Sequence, residues 1–464
     1  MKQLLVINNL INKTKNNPLV LKLIKNSIWS FLSIFLSKGL LFITWIFVAR
    51  IIGAKEYGEF GIVRTTVNMF MILSGFSIGV TLTKFIAQYE TFAKGNKKNI
   101  GRLIGSSLGF SLLIGVVISG IIFMSSSYIS EVLLKSTEVT NLLRIGSLLL
   151  LFSTIIGAQM GVLQGFNLYK GLTKLNAVSG SVTLILVVFG SKFYNVIGTT
   201  AFFSLSLFLN VLFLQYYVMK ILKRKKIRIF FKPKKTEIDI FVKFSLPAVL
   251  AGLCIAPIKW YSEKMLISNE SFEVMGVFYA ALIPMNLIIA VVSSVDAPLL
   301  SLASANKENS FFDKINVFST WYIYVILSFF LFVFFDLFKF LFGENYNSSL
   351  FNKIIVLLVL YAGLYLFSQG LWRKLAVFDK MWVYFFTNLV EGFVLMVSFY
   401  FLLDLGAIGL GYAYIISYLA RIFFMIIVGD FVGVIKMKQM FNDKYFLLSI
   451  FFVVVNFIIA MYRV

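Results

Sequence analysis

Thirteen stretches of this chain, roughly residues 27–52, 58–84, 102–124, 141–164, 175–191, 196–219, 244–267, 276–300, 317–342, 354–375, 382–403, 406–428 and 445–462, are apolar and long enough to cross a bilayer. No other feature restricts the fold as much. In hydrocarbon every backbone N–H and C=O must find its partner within the protein, so such a stretch is a helix and the chain is all-α and polytopic. Twelve lysines and arginines nevertheless fall inside these stretches; with Arg102, Arg373 and Lys374 counted with the basic joints they adjoin, nine remain: Lys38, Arg50, Arg64, Lys84, Arg144, Lys259, Lys264, Lys339 and Arg421. A cation facing lipid at a helix centre costs about 2.5–3.5 kcal/mol. Nine together exceed a typical net stability of about 5–15 kcal/mol. Each must reach a headgroup, meet a carboxylate or face water.

Hydrophobic residues make up 59% of the chain and charged residues 14%, which excludes a soluble globular domain. The net charge of +23 is distributed by side. The N-terminal arm and every second joint after it hold 29 Lys and Arg, whereas the remaining joints hold five: Lys55, Lys135, Lys192, Lys353 and Arg463. The positive-inside rule therefore places the amino terminus in the cytoplasm. Lys223-Arg224-Lys225-Lys226 follows a span, so it reads as a topology signal in contact with anionic lipid headgroups, not as a nucleic-acid patch. The chain has no His and one Cys, which rules out an imidazole zinc site, a His proton relay and an intrachain disulfide. It shows no P-loop, paired-carboxylate motif or metal-ligand cluster, and the longest outward joint, residues 125–140, is too short for a catalytic domain. A transporter without a catalytic motif is expected.

The chain also repeats itself. Tyr57-Gly58-Glu59-Phe60 matches Met275-Gly276-Val277-Phe278 at an offset of 218, and Val196-Ile197-Gly198 matches Ala407-Ile408-Gly409 at 211. Six spans per half is an even number, so the halves share one orientation and are related by an axis along the membrane normal. The expected organisation is a cytoplasmic arm (1–26), an N-lobe of spans 1–6 (27–219), a basic cytoplasmic linker (220–243), a C-lobe of spans 7–12 (244–428), and a C-terminal segment with an extra span (429–464). Pro247, Pro257, Pro284 and Pro298 all fall in spans 7 and 8, which are expected to bend.

Depth separates the charged residues. Arg50, Lys84, Arg144, Lys264 and Lys339 lie near span ends, where long stems snorkel to headgroups. Lys38, Arg64, Lys259 and Arg421 lie deeper, against the deep acids Glu263 and Glu391, with Asp296 and Asp336 nearer the ends. Lys259 and Glu263, four residues apart, are placed to pair on one helix face. Four cations against two anions leave a positive surplus that calls for an anionic guest.

One stretch carries a resemblance. Ala49-Arg50-Ile51-Ile52-Gly53-Ala54-Lys55-Glu56-Tyr57-Gly58-Glu59-Phe60-Gly61, between the first two spans, resembles the A-R-x-x-G-x-x-x-Y-G-x-[FY] turn of the Wzx-type polysaccharide flippases. These belong to the multidrug/oligosaccharidyl-lipid/polysaccharide (MOP) exporter superfamily. Ser245-Leu246-Pro247, Leu341-Phe342-Gly343-Glu344-Asn345-Tyr346 and Gly406-Ala407-Ile408-Gly409 add to it. The resemblance implies a bacterial inner-membrane protein of two six-helix lobes around a central cavity, working by alternating access. Its substrate would be a polyprenyl-pyrophosphate-linked oligosaccharide for O-antigen or lipopolysaccharide synthesis, and its partners membrane lipids, a polysaccharide polymerase and glycosyltransferases. It implies no cofactor beyond coupling to a proton or Na⁺ gradient.

On depth and face, Lys38, Arg64, Lys259 and Arg421 are then the candidates to hold the pyrophosphate, and Glu391, followed by Asp296, the candidates for the coupling ion. Tyr361, Tyr365, Tyr414 and Tyr418 are candidates to stack on sugar rings. Arg50, Gly53, Tyr57 and Gly58 match the family turn. A lipid II flippase, a drug or cation exporter of the same superfamily and a membrane polysaccharide polymerase are the competing readings. A drug exporter favours an acid-rich cavity, opposite to the balance here.

Overall fold

The structure, a computed structural model, describes residues 18–72, 77–92, 97–231, 250, 252–296, 299, 310–333, 335–343, 346, 348–378, 380–435 and 444–463. The described elements are helical throughout. They are α1 (Pro18–Met71), α2 (Ser77–Phe92), α3 (Lys97–Ser127, continued by a π-helical turn over Tyr128–Leu133), α4 (Val139–Gly165), α5 (Tyr169–Lys225), α6 (Ala256–Asn269), α7 (Phe272–Ser293), α8 (Ser310–Val333), α9 (Phe335–Phe342), α10 (Ser349–Val377), α11 (Met381–Phe401), α12 (Gly406–Phe431) and α13 (Lys444–Arg463). Nine helices among the described residues are long and apolar enough to span a membrane. Two of these, α1 and α5, are each a pair of spans joined across a break, and each expected span has helical residues in the described set, with 73–76 of the second and 244–249 and 251 of the seventh among those outside it. α1 already begins at Pro18, inside the stretch read as an arm.

The breaks follow from single residues. α1 is interrupted at Gly53, whose φ of 78° and ψ of 174° are open only to glycine. α5 is interrupted at Tyr194 and Asn195, the latter left-handed at φ 51°. The Glu56 carboxylate accepts the Val196 backbone N–H at 2.9 Å, so a residue of the family turn caps the second half of α5. The proline expectation divides. The chain is interrupted at Cys254 and Ile255 just ahead of Pro257, which occupies the first turn of α6. Pro284 sits inside α7, which continues helical to Ser293. Pro247 and Pro298 lie outside the described residues.

The helices pack in two groups, α2 to α5 and α6 to α13, and every substantial contact between the groups runs through α1. The seam between α1 and α7 is built on the two glycines that the internal repeat pairs. A Cβ on Gly58 would lie 1.9 Å from the Phe272 carbonyl oxygen, and a Cβ on Gly276 would lie 1.8 Å from that of Ala54. Each glycine thus faces the residue four positions before the other, the reciprocity that a twofold relation requires. Only residues without side chains let two backbones approach this closely. Around this seam the Tyr346 hydroxyl donates to the Ala49 carbonyl oxygen at 3.2 Å, and the Arg50 side chain lies against Gly343. The turn motif therefore has structural duties: Gly53 breaks the helix, Gly58 seats α7, and Tyr57 is buried.

A second glycine row does a different job. Gly101, Gly105 and Gly109 recur every four residues along α3. α5 ends at Lys226 in a left-handed conformation, after which the chain turns back in extended form along that row. The Phe230 N–H donates to the Gly101 carbonyl oxygen at 3.2 Å, and a Cβ on Gly101 would meet the Arg228 carbonyl oxygen at 1.9 Å. The stretch expected as the linker, 220–243, thus begins as the last turns of α5 and then docks on α3 over 227–231; residues 232–243 lie outside the described set.

Candidate functional site

Three charged groups that are distant in sequence meet between α6, α11 and α12. Glu391 is buried, with Lys259 Nζ 3.3 Å from one carboxylate oxygen and Arg421 donating to the other. The cluster of two cations and one anion carries a net positive charge. Tyrosines enclose it. Tyr361 and Tyr365 on α10, and Tyr414 and Tyr418 on α12, are each four apart and so share a helix face. Their rings interlock: Tyr361 is edge-on to Tyr418 at 4.8 Å and tilted on Tyr414 at 5.3 Å, and Tyr365 lies 5.8 Å from Tyr418. Lys259 donates to the Tyr361 hydroxyl at 3.3 Å, and Arg421 donates to that of Tyr418 at 3.3 Å. The Arg421 guanidinium also sits 5.1 Å from the rings of Tyr384 and Tyr418. Its Nε is buried and donates to no protein atom among the described residues.

Lys38 and Arg64 come together elsewhere, on the two halves of α1. Arg64 is half-buried, its guanidinium 4.2 Å from the Trp45 ring centre, 5.5 Å from that of Phe60, and beside the Tyr57 hydroxyl. Lys38 is exposed and close enough to repel it electrostatically. Among the described residues neither has a carboxylate within ion-pair distance. Aromatic faces stabilise such a cation but do not neutralise it.

Glu263 differs from its expected role. It is not ion-paired with Lys259; it accepts a hydrogen bond from the Tyr279 hydroxyl at 2.8 Å, and that hydroxyl is 3.2 Å from Thr65 Oγ1. Trp260 Nε1 donates to Thr66 at 2.8 Å. This polar network ties α1 to α6 and α7 and links the neighbour of Arg64 to the helix carrying Lys259.

Asp296 is bonded to Arg373, a fully buried cation that the sequence reading lines up with Tyr361, Tyr365 and Gln369 but does not count among the deep charges. Arg373 also donates to Asn316 Oδ1 at 3.0 Å, the Asn316 carbonyl at 2.6 Å and Thr320 at 3.2 Å. Arg373 falls within the stretch 354–375, on the same helix face as Tyr361, Tyr365 and Gln369, and α10 carries it inside the bundle. Of the expected snorkelling residues, Arg50, Lys84 and Arg144 are exposed, Lys264 is half-exposed, and the Lys339 side chain is outside the described set. Outside the membrane stretches, Lys55 hydrogen-bonds to Glu138 at 3.0 Å and holds its carboxyl below the usual range.

Residues 23–301 match the family described as polysaccharide biosynthesis protein. An uncharacterized membrane protein of Methanocaldococcus jannaschii is 24% identical over 302 residues, 62% of this chain and 70% of that protein. Solved structures share the fold. An outward-facing multidrug resistance MATE family transporter of the MOP superfamily aligns with a TM-score of 0.67 at 15% identity, covering 94% of this chain and 96% of its own. The inward-facing form of a MATE family transporter gives 0.65 at 16%, covering 91% and 95%. A MOP superfamily transporter from Pyrococcus furiosus, described as having a binding pocket of reversed polarity that suggests a different function, gives 0.64 at 14%, covering 94% and 96%.

Proposed function

Because the chain belongs to the polysaccharide biosynthesis protein family, we propose that it is a flippase that moves a polyprenyl-pyrophosphate-linked oligosaccharide from the cytoplasmic to the outer leaflet of a bacterial inner membrane. It works by alternating access, with its amino terminus cytoplasmic, and serves surface polysaccharide synthesis of the O-antigen or lipopolysaccharide kind. The observation that carries this reading is the charge surplus. Even with Glu263 counted as ionised, four cations (Lys38, Arg64, Lys259 and Arg421) stand against two carboxylates, while Arg373 and Asp296 balance each other. A pyrophosphate is a multiply charged anion, and its attraction to fixed cations rises where water is scarce. Pocket polarity is the property on which the Pyrococcus furiosus protein of this fold is distinguished, and it favours an anionic over a cationic guest here.

In this reading Lys38 and Arg64 meet the diphosphate first, having no carboxylate to displace. Lys259 and Arg421 form a second, gated station: an anionic guest competes with Glu391 for both cations, and the free Nε of Arg421 supplies a ready donor. Coupling fits a proton better than Na⁺ at this point. Both Glu391 oxygens already face cations, so a metal ion would add a third positive charge, whereas protonation of Glu391 would release Lys259 and Arg421 together. The tyrosines around the cluster are buried and hold the charged groups in place; sugar stacking falls to the half-exposed Tyr365.

The test is complementation of a flippase-null strain. Lys38→Gln combined with Arg64→Gln should leave membrane abundance unchanged while lipid-linked glycan accumulates on the cytoplasmic face. Full restoration of surface glycan by that variant would remove the proposal. A lipid II flippase shares the headgroup chemistry, and rescue of a lipid II flippase mutant separates the two.

A further inference from the structure

A cavity among the described residues lies away from the charged cluster. It encloses about 740 Å³ between α3, α4, α5 and the extended segment that docks on the α3 glycine row, within the usual size range of ligand sites. Its apolar walls include Leu112, Leu212 and Phe231, which are exposed on the outer face of the bundle, so the cavity opens sideways toward lipid. Its rim carries two exposed cations, Lys223 and Arg228, neither paired with a carboxylate among the described residues; the neighbouring Lys225 is bound to Glu90. One polar group inside is unsatisfied. Gln159 is fully buried, its amide nitrogen donates to Gln215 Oε1 at 2.9 Å and to the Val211 carbonyl at 3.2 Å, and its Oε1 has no donor.

We propose that this cavity is a binding site for an anionic phospholipid of the surrounding leaflet, with one acyl chain along Leu112 and Leu212, the phosphate on Lys223 and Arg228, and a headgroup hydroxyl donating to Gln159 Oε1. An apolar slot with a basic mouth at the helix ends is the arrangement that retains such lipids. A zwitterionic lipid meets the same walls, but its own cation opposes Lys223 and Arg228. The site shares no residue with the proposed pyrophosphate station and does not depend on that reading: it makes the resting protein sensitive to leaflet charge whatever the cargo.

The full-length protein, purified from membranes, is reconstituted with phosphatidylglycerol or phosphatidylcholine, stripped, and examined by native mass spectrometry. Wild type should retain phosphatidylglycerol preferentially. Lys223→Gln with Arg228→Gln should lower that retention about tenfold or more. Leu112→Trp, which fills the slot without touching charge, should abolish it, and Lys192→Gln, remote in sequence, should not change it. Equal retention of the two lipids by wild type, or retention unchanged in both cavity variants, overturns the proposal. Retention of added polyprenyl phosphate in place of phosphatidylglycerol also overturns it, assigning the slot to the carrier lipid.

Discussion

The two halves of the molecule treat buried positive charge differently. In the C-terminal half each deep cation is answered by an acid: Lys259 and Arg421 share Glu391, and Arg373 holds Asp296. In the N-terminal half Arg64 is answered by the Trp45 and Phe60 rings, and neither it nor Lys38 has a carboxylate within ion-pair distance among the described residues. A cation with a carboxylate partner can be deep because the partner offsets part of its lost hydration, even where two cations share one acid. An unbalanced one must stay open to solvent or to a guest, and Lys38 is exposed accordingly. The contrast suggests a test of the proposed function: if the carboxylates of the C-terminal half serve stability and the unpaired cations of the N-terminal half serve the cargo, substitutions in the two halves should separate the two properties.

Four substitutions test this division. The largest effect is expected for Glu391→Gln, which strands the buried Arg421 and the half-exposed Lys259 and should cost about 3–5 kcal/mol, read as a lower unfolding midpoint in detergent and lower membrane abundance. Asp296→Asn should cost less, about 1–3 kcal/mol, because Asp296 is 24% exposed and Arg373 keeps Asn316 and Thr320. Arg64→Gln should cost only about 1 kcal/mol through lost ring contacts, yet should reduce flipping far more than Asp296→Asn does. If Arg64→Gln unfolds the protein as badly as Glu391→Gln, the division fails. The smallest effect belongs to Lys55→Gln at the exposed pair with Glu138. Glu138 has its carboxyl depressed, so the pair contributes above the unfolded value and loses its contribution as pH falls through the folded one. Wild type and variant should differ little at neutral pH and converge in acid.

Much of the fold is readable from periodicity and length, because membrane spanning leaves so few options for the backbone. The family turn is readable too: Gly53 announces a break that only glycine permits. The repeat was legible only as short matches, and its meaning emerges where Gly58 and Gly276 prove to face each other. The charged site was half legible. Depth singled out Lys259, Arg421 and Glu391 and spacing aligned the tyrosines, but the sharing of one carboxylate by two cations joins residues 132 and 30 positions apart, which no local pattern encodes. Local logic even misled at Glu263, where the helical neighbour four residues away lost to Tyr279 on another helix. Arg373 was aligned with Tyr361, Tyr365 and Gln369 but, two residues from the end of its stretch, was not counted as a deep cation.

The contact of Gly58 with Gly276 has a mechanical consequence. Two backbones that touch with no side chains between them are held by dispersion, which fades within about an ångström of separation. Such a clasp has no long arms to stretch or slide, so it is either shut or released. Rocking of the halves about this point would begin abruptly, with little intermediate travel, and a methyl group added at either glycine would wedge the clasp ajar.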